Sequence, residues 1–176
     1  MLALVAAAPS VICLQETKLS DLNRFKAHSF LPPHFTNSIQ HVRAAGSRGG
    51  ILTAWNTSLF SLDSFISGRH TLTTVLTAAA SEQRLTVTNV YAPADHRDSK
   101  HFLADLHELQ PQISGPWVLT GDFNLIRCTT EKTTGNLDAA LCSLFNDTLD
   151  RLGVVELPLL DRLFTWTNKQ ANPILA

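Results

Sequence analysis

An α+β sandwich, with two packed and mostly antiparallel sheets inside and helices outside, is the fold class this sequence predicts. Two patterns predict it. Residues 35–91 are a series of short β-rich runs joined by turns, as antiparallel hairpins are. Strand–helix–strand units occur around 85–121 and 116–167. The tally is about seven or eight strands and two or three helices. With 176 residues, 44% of them hydrophobic and 16% charged, the chain is globular and large enough for a real core. A single domain over 1–176 is expected.

The elements follow in order. The opening MLALVAAAPS has two readings: the end of a helix stopped at Pro9, or a leader peptide lacking a basic first segment. Ser10 to Gln15 is an apolar run with β-branched residues, read as a buried strand. Ser20 can cap a short helix carrying Leu22 and Phe25. Pro32-Pro33 marks a loop, and 35–42 alternate weakly as a strand. Ser47-Arg-Gly-Gly50 is a turn before the strand Ile51 to Trp55. Strands are expected near 60–66 and 71–79. In Leu85 to Tyr91, alternation places Leu85, Val87, Asn89 and Tyr91 on one face.

Ser99 is a candidate cap for a helix with Phe102, Leu103, Leu106 and Leu109 on one side. The run Trp117 to Thr120 reads as a strand that ends in Gly121-Asp-Phe-Asn124. Residues 129–136 are polar loop. Asp138 can cap a helix bearing Leu141, Leu144, Phe145, Leu149 and Leu152, with Gly153 as its stop. Residues 158–162 read as loop, and Phe164 to Thr167 as a last short strand.

Charge and cysteine content narrow the function classes. The net charge of −1 gives no basic footprint for nucleic acid, yet a site of acids and a bound cation can face phosphate in a neutral protein. Three widely spaced cysteines, Cys13, Cys128 and Cys142, fit reduced thiols in an intracellular protein better than a secreted disulfide scaffold. No apolar run reaches the ~18–20 residues that span a bilayer, so no membrane role is expected.

The chemistry-bearing candidates sit at strand ends. Glu16 directly follows one apolar strand, and Asp122 follows another after Gly121. A carboxylate at the end of a buried strand is held rigidly and still reaches solvent, which suits a hard divalent cation. The amide of Asn124 can donate to a phosphate oxygen, and Gly121 lets a ligand or backbone approach. Each has an ordinary reading beside it: Asp-Phe-Asn as turn composition, Glu16 as a solvated loop residue, Tyr91 as a strand-end aromatic. Gly49-Gly50 reads mainly as a turn. None of the seven histidines forms an HxH or HExxH pair, and His96, His101 and His107 read as surface residues. No GxSxG, P-loop or GxGxxG occurs.

The order of the pieces says more than any one of them. ICLQETKL, SRGGILTAW, TVTNVYAP, WVLTGDFNLI and LPLLDRLFTWTN follow one another at sensible spacing. The series resembles the endonuclease/exonuclease/phosphatase superfamily, the deoxyribonuclease-I-like fold, over nearly the whole chain. Within it, the chain is most similar to the apurinic-type endonuclease domain of LINE-type non-LTR retrotransposons, especially plant elements. The resemblance implies a four-layer α/β sandwich and Mg²⁺-dependent DNA cleavage, with Mn²⁺ as the alternative ion. It implies that Glu16 ligates the metal and Tyr91 lies near the scissile phosphate. It implies that Asp122 positions or deprotonates the attacking water and Asn124 orients the phosphate. Thr165 matches a threonine at the edge of the site. Asp161 mimics an Asp-Arg motif but matches a loop position.

Set against the family, the chain is expected to be incomplete at both termini. An Asn-bearing first strand before SVICLQE and a Ser-Asp-His motif after Ala176 have no counterpart, and no histidine matches the catalytic one. The expectation is a partial domain, weakly active or inactive alone. Its expected partners are DNA and, in the parent element, a reverse transcriptase domain; its expected location is intracellular and not secreted, with the nucleus as one option. The alternatives are a non-catalytic remnant scaffold that binds DNA or protein, another phosphodiesterase or phosphatase of the same fold, and a secreted nuclease, which the unmatched cysteines disfavour.

Overall fold

Three short runs of β-formers make the first sheet. In the computed structural model, β1 (Val11–Gln15), β2 (Ile39–Val42) and β3 (Ile51–Trp55) pair antiparallel in the order β1-β3-β2. Alternation gives this sheet two apolar faces. Ile12, Leu52 and Ala54 pack with Ala27, Leu31 and Phe35, which come from α1 (Arg24–Phe30) and the turns after it. Val11, Cys13 and Trp55 point the other way, onto Leu76, Leu85 and Val87 of the second sheet.

The second sheet has the order β4-β5-β6-β7, from β4 (Phe60–Ser67), β5 (Thr71–Ala78), β6 (Arg84–Tyr91) and β7 (Trp117–Asp122). Its first three strands are antiparallel hairpin partners, and β7 joins β6 in parallel. Leu52, Leu72, Leu76 and Val90 lose all solvent contact. Each such aliphatic side chain stabilises the fold by roughly 1.5–3 kcal/mol. Polar side chains cross the sheet as well. Trp117 Nε1–H donates to Thr88 Oγ1 at 2.8 Å, and the Thr88 and Thr73 hydroxyls bond at 2.9 Å.

The structure describes residues 8–133, 138–158 and 163–176. They divide into two compact units. The first runs up to Ala94 and includes Gln112–Asp122; it holds both sheets and α1. The second comprises Asp95–Pro111 and the chain from Phe123 onward. It contains α2 (Ser99–Leu109) and α3 (Ala139–Leu152). Phe102, Leu103, Leu106 and Leu109 are buried along α2, and Leu141, Phe145 and Leu152 along α3. Phe123 bridges the helices, with ring centroids 6.5 Å from Phe102 and 5.5 Å from Phe145. Arg127 ties the loop after it to α3, donating from Nε to Asn146 Oδ1 at 2.9 Å. Among the described residues no helix is long and apolar enough to cross a membrane.

The sandwich class and most elements agree with the sequence reading. Asp138 caps α3 by accepting the Leu141 N–H at 3.0 Å, and Gly153 stops it in the left-handed conformation at φ 68°. Four expectations need correction. The cap of α1 is Asn23, whose Oδ1 accepts the Lys26 N–H at 2.9 Å, and not Ser20, three residues earlier. The weakly alternating 35–42 gives strand only from Ile39, because Pro33–Phe35 winds into a 3₁₀ turn. Ser99 is the first residue of α2 and Asp98 stands at its cap position. Residues 164–167 form no regular strand: the Thr165 and Trp166 N–H groups both donate to Ala176 O, and a single bridge joins Thr167 to Leu175. The readings of MLALVAA, of part of the 129–136 loop and of Asp161 fall outside the described residues.

Cys13 allows a test of the sandwich interior. Burial pushes its thiol up to about 11, against a smaller lowering by its hydrogen bond with Thr53. A thiol with a raised folded-state pKa keeps its proton longer when folded than when unfolded. Its contribution is therefore full below about pH 9 and is lost as pH rises towards about 11, an effect of roughly 2–3 kcal/mol at most. Chemical denaturation at pH 8 and pH 11 should show this loss in the wild type, and a smaller one in Cys13→Ala. At pH 8 a thiol reagent should modify exposed Cys128 quickly and half-buried Cys13, with its raised pKa, much more slowly.

Candidate active site

Glu16 is presented by a turn with unusual backbone. β1 ends at Gln15, and Glu16 and Lys18 both adopt left-handed conformations, at φ 52° and 57°. Such residues cost on the order of 1 kcal/mol or more each, so the surroundings must hold them. They do: the Thr17 N–H donates to Gly50 O at 3.1 Å and the Lys18 N–H to Gly49 O at 3.0 Å. A Cβ on Gly50 would collide with Thr17 Oγ1 and stand 3.2 Å from Lys18 N. The pair Gly49-Gly50 is therefore the seat of the Glu16 turn, a role its turn composition did not disclose. Lys18 Nζ lies 3.7 Å from Glu16 Oε1, with both side chains more than half exposed, so the pair is weak.

Gly50 itself sits at φ 89°, which other residues rarely adopt. Gly50→Ala should destabilise the fold by about 1–3 kcal/mol. Thermal denaturation measures this, and amide exchange should show the loss concentrated at Thr17 and Lys18.

Tyr91 and Asp122 meet through strand register. In the parallel ladder Val90 pairs with Gly121 and Tyr91 with Asp122. The Ala92 N–H donates to Asp122 O at 2.8 Å, which extends the pairing past both side chains. The approach depends on Gly121, at φ 133°, because a Cβ there would overlap the Val90 carbonyl and lie 2.8 Å from its nitrogen. His70, in the β4–β5 turn, brackets Tyr91: Tyr91 N–H donates to His70 O at 2.9 Å, and His70 Nδ1 lies 3.1 Å from Tyr91 O. A carbonyl only accepts, so Nδ1 carries a proton there.

The electrostatics join the three residues. Burial, then the Glu16 charge, then the Asp122 charge push the Tyr91 phenol above its ordinary value. Two carboxylates thus act on one hydroxyl, which stays protonated near neutral pH as a hydrogen-bond donor. Glu16 and Asp122 are exposed and Tyr91 is half-buried, so the group is open to a ligand. Among the described residues no set of three or more His, Cys, Asp or Glu side chains forms a cage for a metal. The carboxylates of Glu16 and Asp122 are hard oxygen donors, the kind a divalent cation takes.

The other expected site residues belong to the second unit. Asn124 is its second residue after the Asp122 boundary and adopts φ 49°, a conformation asparagine tolerates better than most. Thr165 is exposed. His96 and His101 are exposed too, and His107 is half-buried on α2. Sequence reasoning missed Gly50 and His70 as supports, and it also missed Gln15; Asn89 it noticed only as a member of a strand face.

Comparisons with known proteins give the arrangement a context. A search of curated proteins found no match. Among solved structures, the chain is similar to the endonuclease domain of TRAS1, a telomere-specific non-LTR retrotransposon. Identity is 11% and the TM-score 0.71, over 99% of this chain and 73% of that one. It is similar to the AP endonuclease LMAP from Leishmania major, with 17% identity and a TM-score of 0.61, over 86% of this chain and 60% of that enzyme. ANGEL2, a 2′,3′-cyclic phosphatase, aligns with 18% identity and a TM-score of 0.53, over 74% of this chain and 44% of its own length. These likenesses show a shared fold at low identity. The profile of the Endonuclease/Exonuclease/phosphatase family matches residues 2–169. With that match over nearly its whole length, and with acids at the ends of two strands of a packed pair of sheets, the chain belongs to the Endonuclease/Exonuclease/phosphatase family.

Proposed function

We propose that this chain hydrolyses phosphodiester bonds of DNA with Mg²⁺, as a nicking endonuclease of the retrotransposon kind whose activity alone is weak. The observation that carries the reading is the parallel register that sets Asp122 beside Tyr91 at the ends of two paired strands, with the Glu16 charge acting on the same phenol. Two carboxylates alone would repel a phosphate, and a net charge of −1 offers no compensating attraction. A cation resolves that conflict. Glu16 would hold Mg²⁺, or Mn²⁺ in its place, and the ion supplies charge neutralisation at the phosphate and the leaving oxygen.

The chain's own residues do the rest. Asp122 orients the attacking water and accepts its proton. The Tyr91 phenol donates to a phosphate oxygen, where charge grows as the bond breaks. Asn124, two residues along from Asp122, keeps the phosphate-orienting role its motif implies, and Thr165 the role that its match to the family implies. Gly121 and Gly50 contribute rigidity, since small displacements of reacting groups cost large factors in rate.

The test is nicking of supercoiled plasmid in Mg²⁺ and in EDTA, together with thermal denaturation with and without Mg²⁺. We expect nicked circles only with the metal. We also expect Mg²⁺ to stabilise the wild type in the absence of DNA and not Glu16→Gln, because a ligand that binds the folded state raises its stability. No nicking and no response to Mg²⁺ would overturn the reading. DNA retention without cleavage would replace it with a non-catalytic scaffold. Preference for a small phosphate ester over DNA would replace it with another phosphatase of the fold.

A further inference from the structure

Asn89 is fully buried where the two sheets of the first unit face each other. Its Oδ1 accepts from Gln15 Nε2 at 2.6 Å. Its Nδ2 donates to Leu52 O at 2.8 Å, with longer contacts to Thr53 Oγ1 at 3.3 Å and Leu14 O at 3.4 Å. One amide from β6 thus bonds to both β1 and β3 of the opposite sheet. Its neighbours along the same face, Leu85 and Val87, are apolar. An apolar residue would fill this position without the desolvation that an amide suffers.

The two ends of this linkage lie next to the candidate site. Gln15 immediately precedes Glu16, and Asn89 lies two residues before Tyr91 on the same face of β6. Apolar packing between sheets is non-directional and tolerates small slips, whereas hydrogen bonds fix distance and angle. We infer that Asn89 is a positioning residue, which acts through Gln15 to set the Glu16 carboxylate relative to Tyr91. This inference rests on the metal-dependent reading above and adds a residue to it. Asn89 touches neither metal nor substrate.

The experiment uses Asn89→Leu, which keeps the branched outline of the side chain but cannot hydrogen bond, and Gln15→Leu, at a half-buried position. Mg²⁺ titrations of thermal stability, without DNA, give the half-saturating concentration. Nicking assays well below the melting temperature give kcat and KM. Each variant should raise the half-saturating Mg²⁺ concentration by about 10-fold or more and lower kcat, with KM for DNA changing little. The double variant should be no worse than the more impaired single one, because both break one linkage.

Lower melting temperatures with a wild-type Mg²⁺ titration and wild-type kcat would overturn the inference and leave a purely structural role. Should Asn89→Leu not fold, Gln15→Leu decides by the same readouts. A wild type indifferent to Mg²⁺ would overturn the metal reading and this inference with it, whereas a responsive wild type with unaltered variants overturns this inference alone.

Discussion

Asp122→Asn is expected to lower DNA nicking by about 10²-fold or more without weakening the fold. The side chain is exposed at the end of β7, and exchanging its carboxylate for an amide keeps its shape. Surface exchanges of this kind usually move stability by less than about 0.5 kcal/mol. On the proposed mechanism the exchange removes the group that takes a proton from water, and in any case it removes one of two charges that act on Tyr91. The second loss can be read without any enzyme assay. Tyr91 is the only tyrosine in the chain, so an ultraviolet pH titration reports on it alone. Its midpoint should fall in Asp122→Asn and fall further in Glu16→Gln, since the Glu16 charge has the larger influence. Wild-type nicking by Asp122→Asn would remove this residue from the mechanism. An unchanged tyrosine titration in both variants would contradict the geometry itself.

Gly121→Ala should be among the most damaging single-methyl additions in the first unit. The new carbon would overlap the Val90 carbonyl, and main chain cannot swing aside as a flexible side-chain end can. The positive φ of 133° adds strain that no repacking removes. Together these predict a loss of about 2–4 kcal/mol. The variant should also pull Asp122 away from Tyr91, because the Val90–Gly121 and Tyr91–Asp122 pairs are consecutive rungs. Urea denaturation measures the first effect, and the tyrosine titration the second. Wild-type stability would mean that the parallel pairing is looser than the register implies.

Much of the fold was legible because burial imposes periods on sequence. The alternation in Leu85 to Tyr91 fixed which side chains face the other sheet, and Val87 and Asn89 are indeed interior. Helical spacing identified the buried stripe of α2 and, on α3, buried Leu141, Phe145 and Leu152, with Leu144 and Leu149 half-buried; local capping chemistry gave Asp138 and Gly153. The misses share a cause: a partner distant in sequence decided them. Ser20 and Asn23 are both good caps, and the choice follows from which residues Ala27 and Leu31 must bring over Ile12 and Leu52. Phe164 to Thr167 has strand composition, but it meets the chain end through one bridge and a few hydrogen bonds with Ala176, too few for a regular ladder.

The candidate site divides in the same way. Acids after apolar runs marked Glu16 and Asp122, and motif order drew in Tyr91. Their meeting depends on a parallel register that hydropathy does not encode. The supports were hidden for the same reason. Gly50 looks like any turn glycine until Thr17 and Lys18 are seen against it, and Asn89 looks like one polar residue in an alternating strand until Gln15 reaches it from the other sheet.

The parallel pairing of β6 with β7 also bears on the order of assembly. Tyr91 finds Asp122 31 residues further on, whereas the β5–β6 hairpin closes with Thr77 opposite Arg84. Closing the longer loop costs more chain entropy, and the intervening segment traverses the whole of α2. On a ribosome both strands of the hairpin are made before β7. The strand bearing Asp122 therefore joins a sheet that already exists, and until it does, Val90 and Tyr91 form an open edge. Pulse-labelling by hydrogen exchange should find the hairpin amides protected before those of Leu119 and Asp122. Chemistry at this site would thus be acquired late in folding, after most of the first unit is in place.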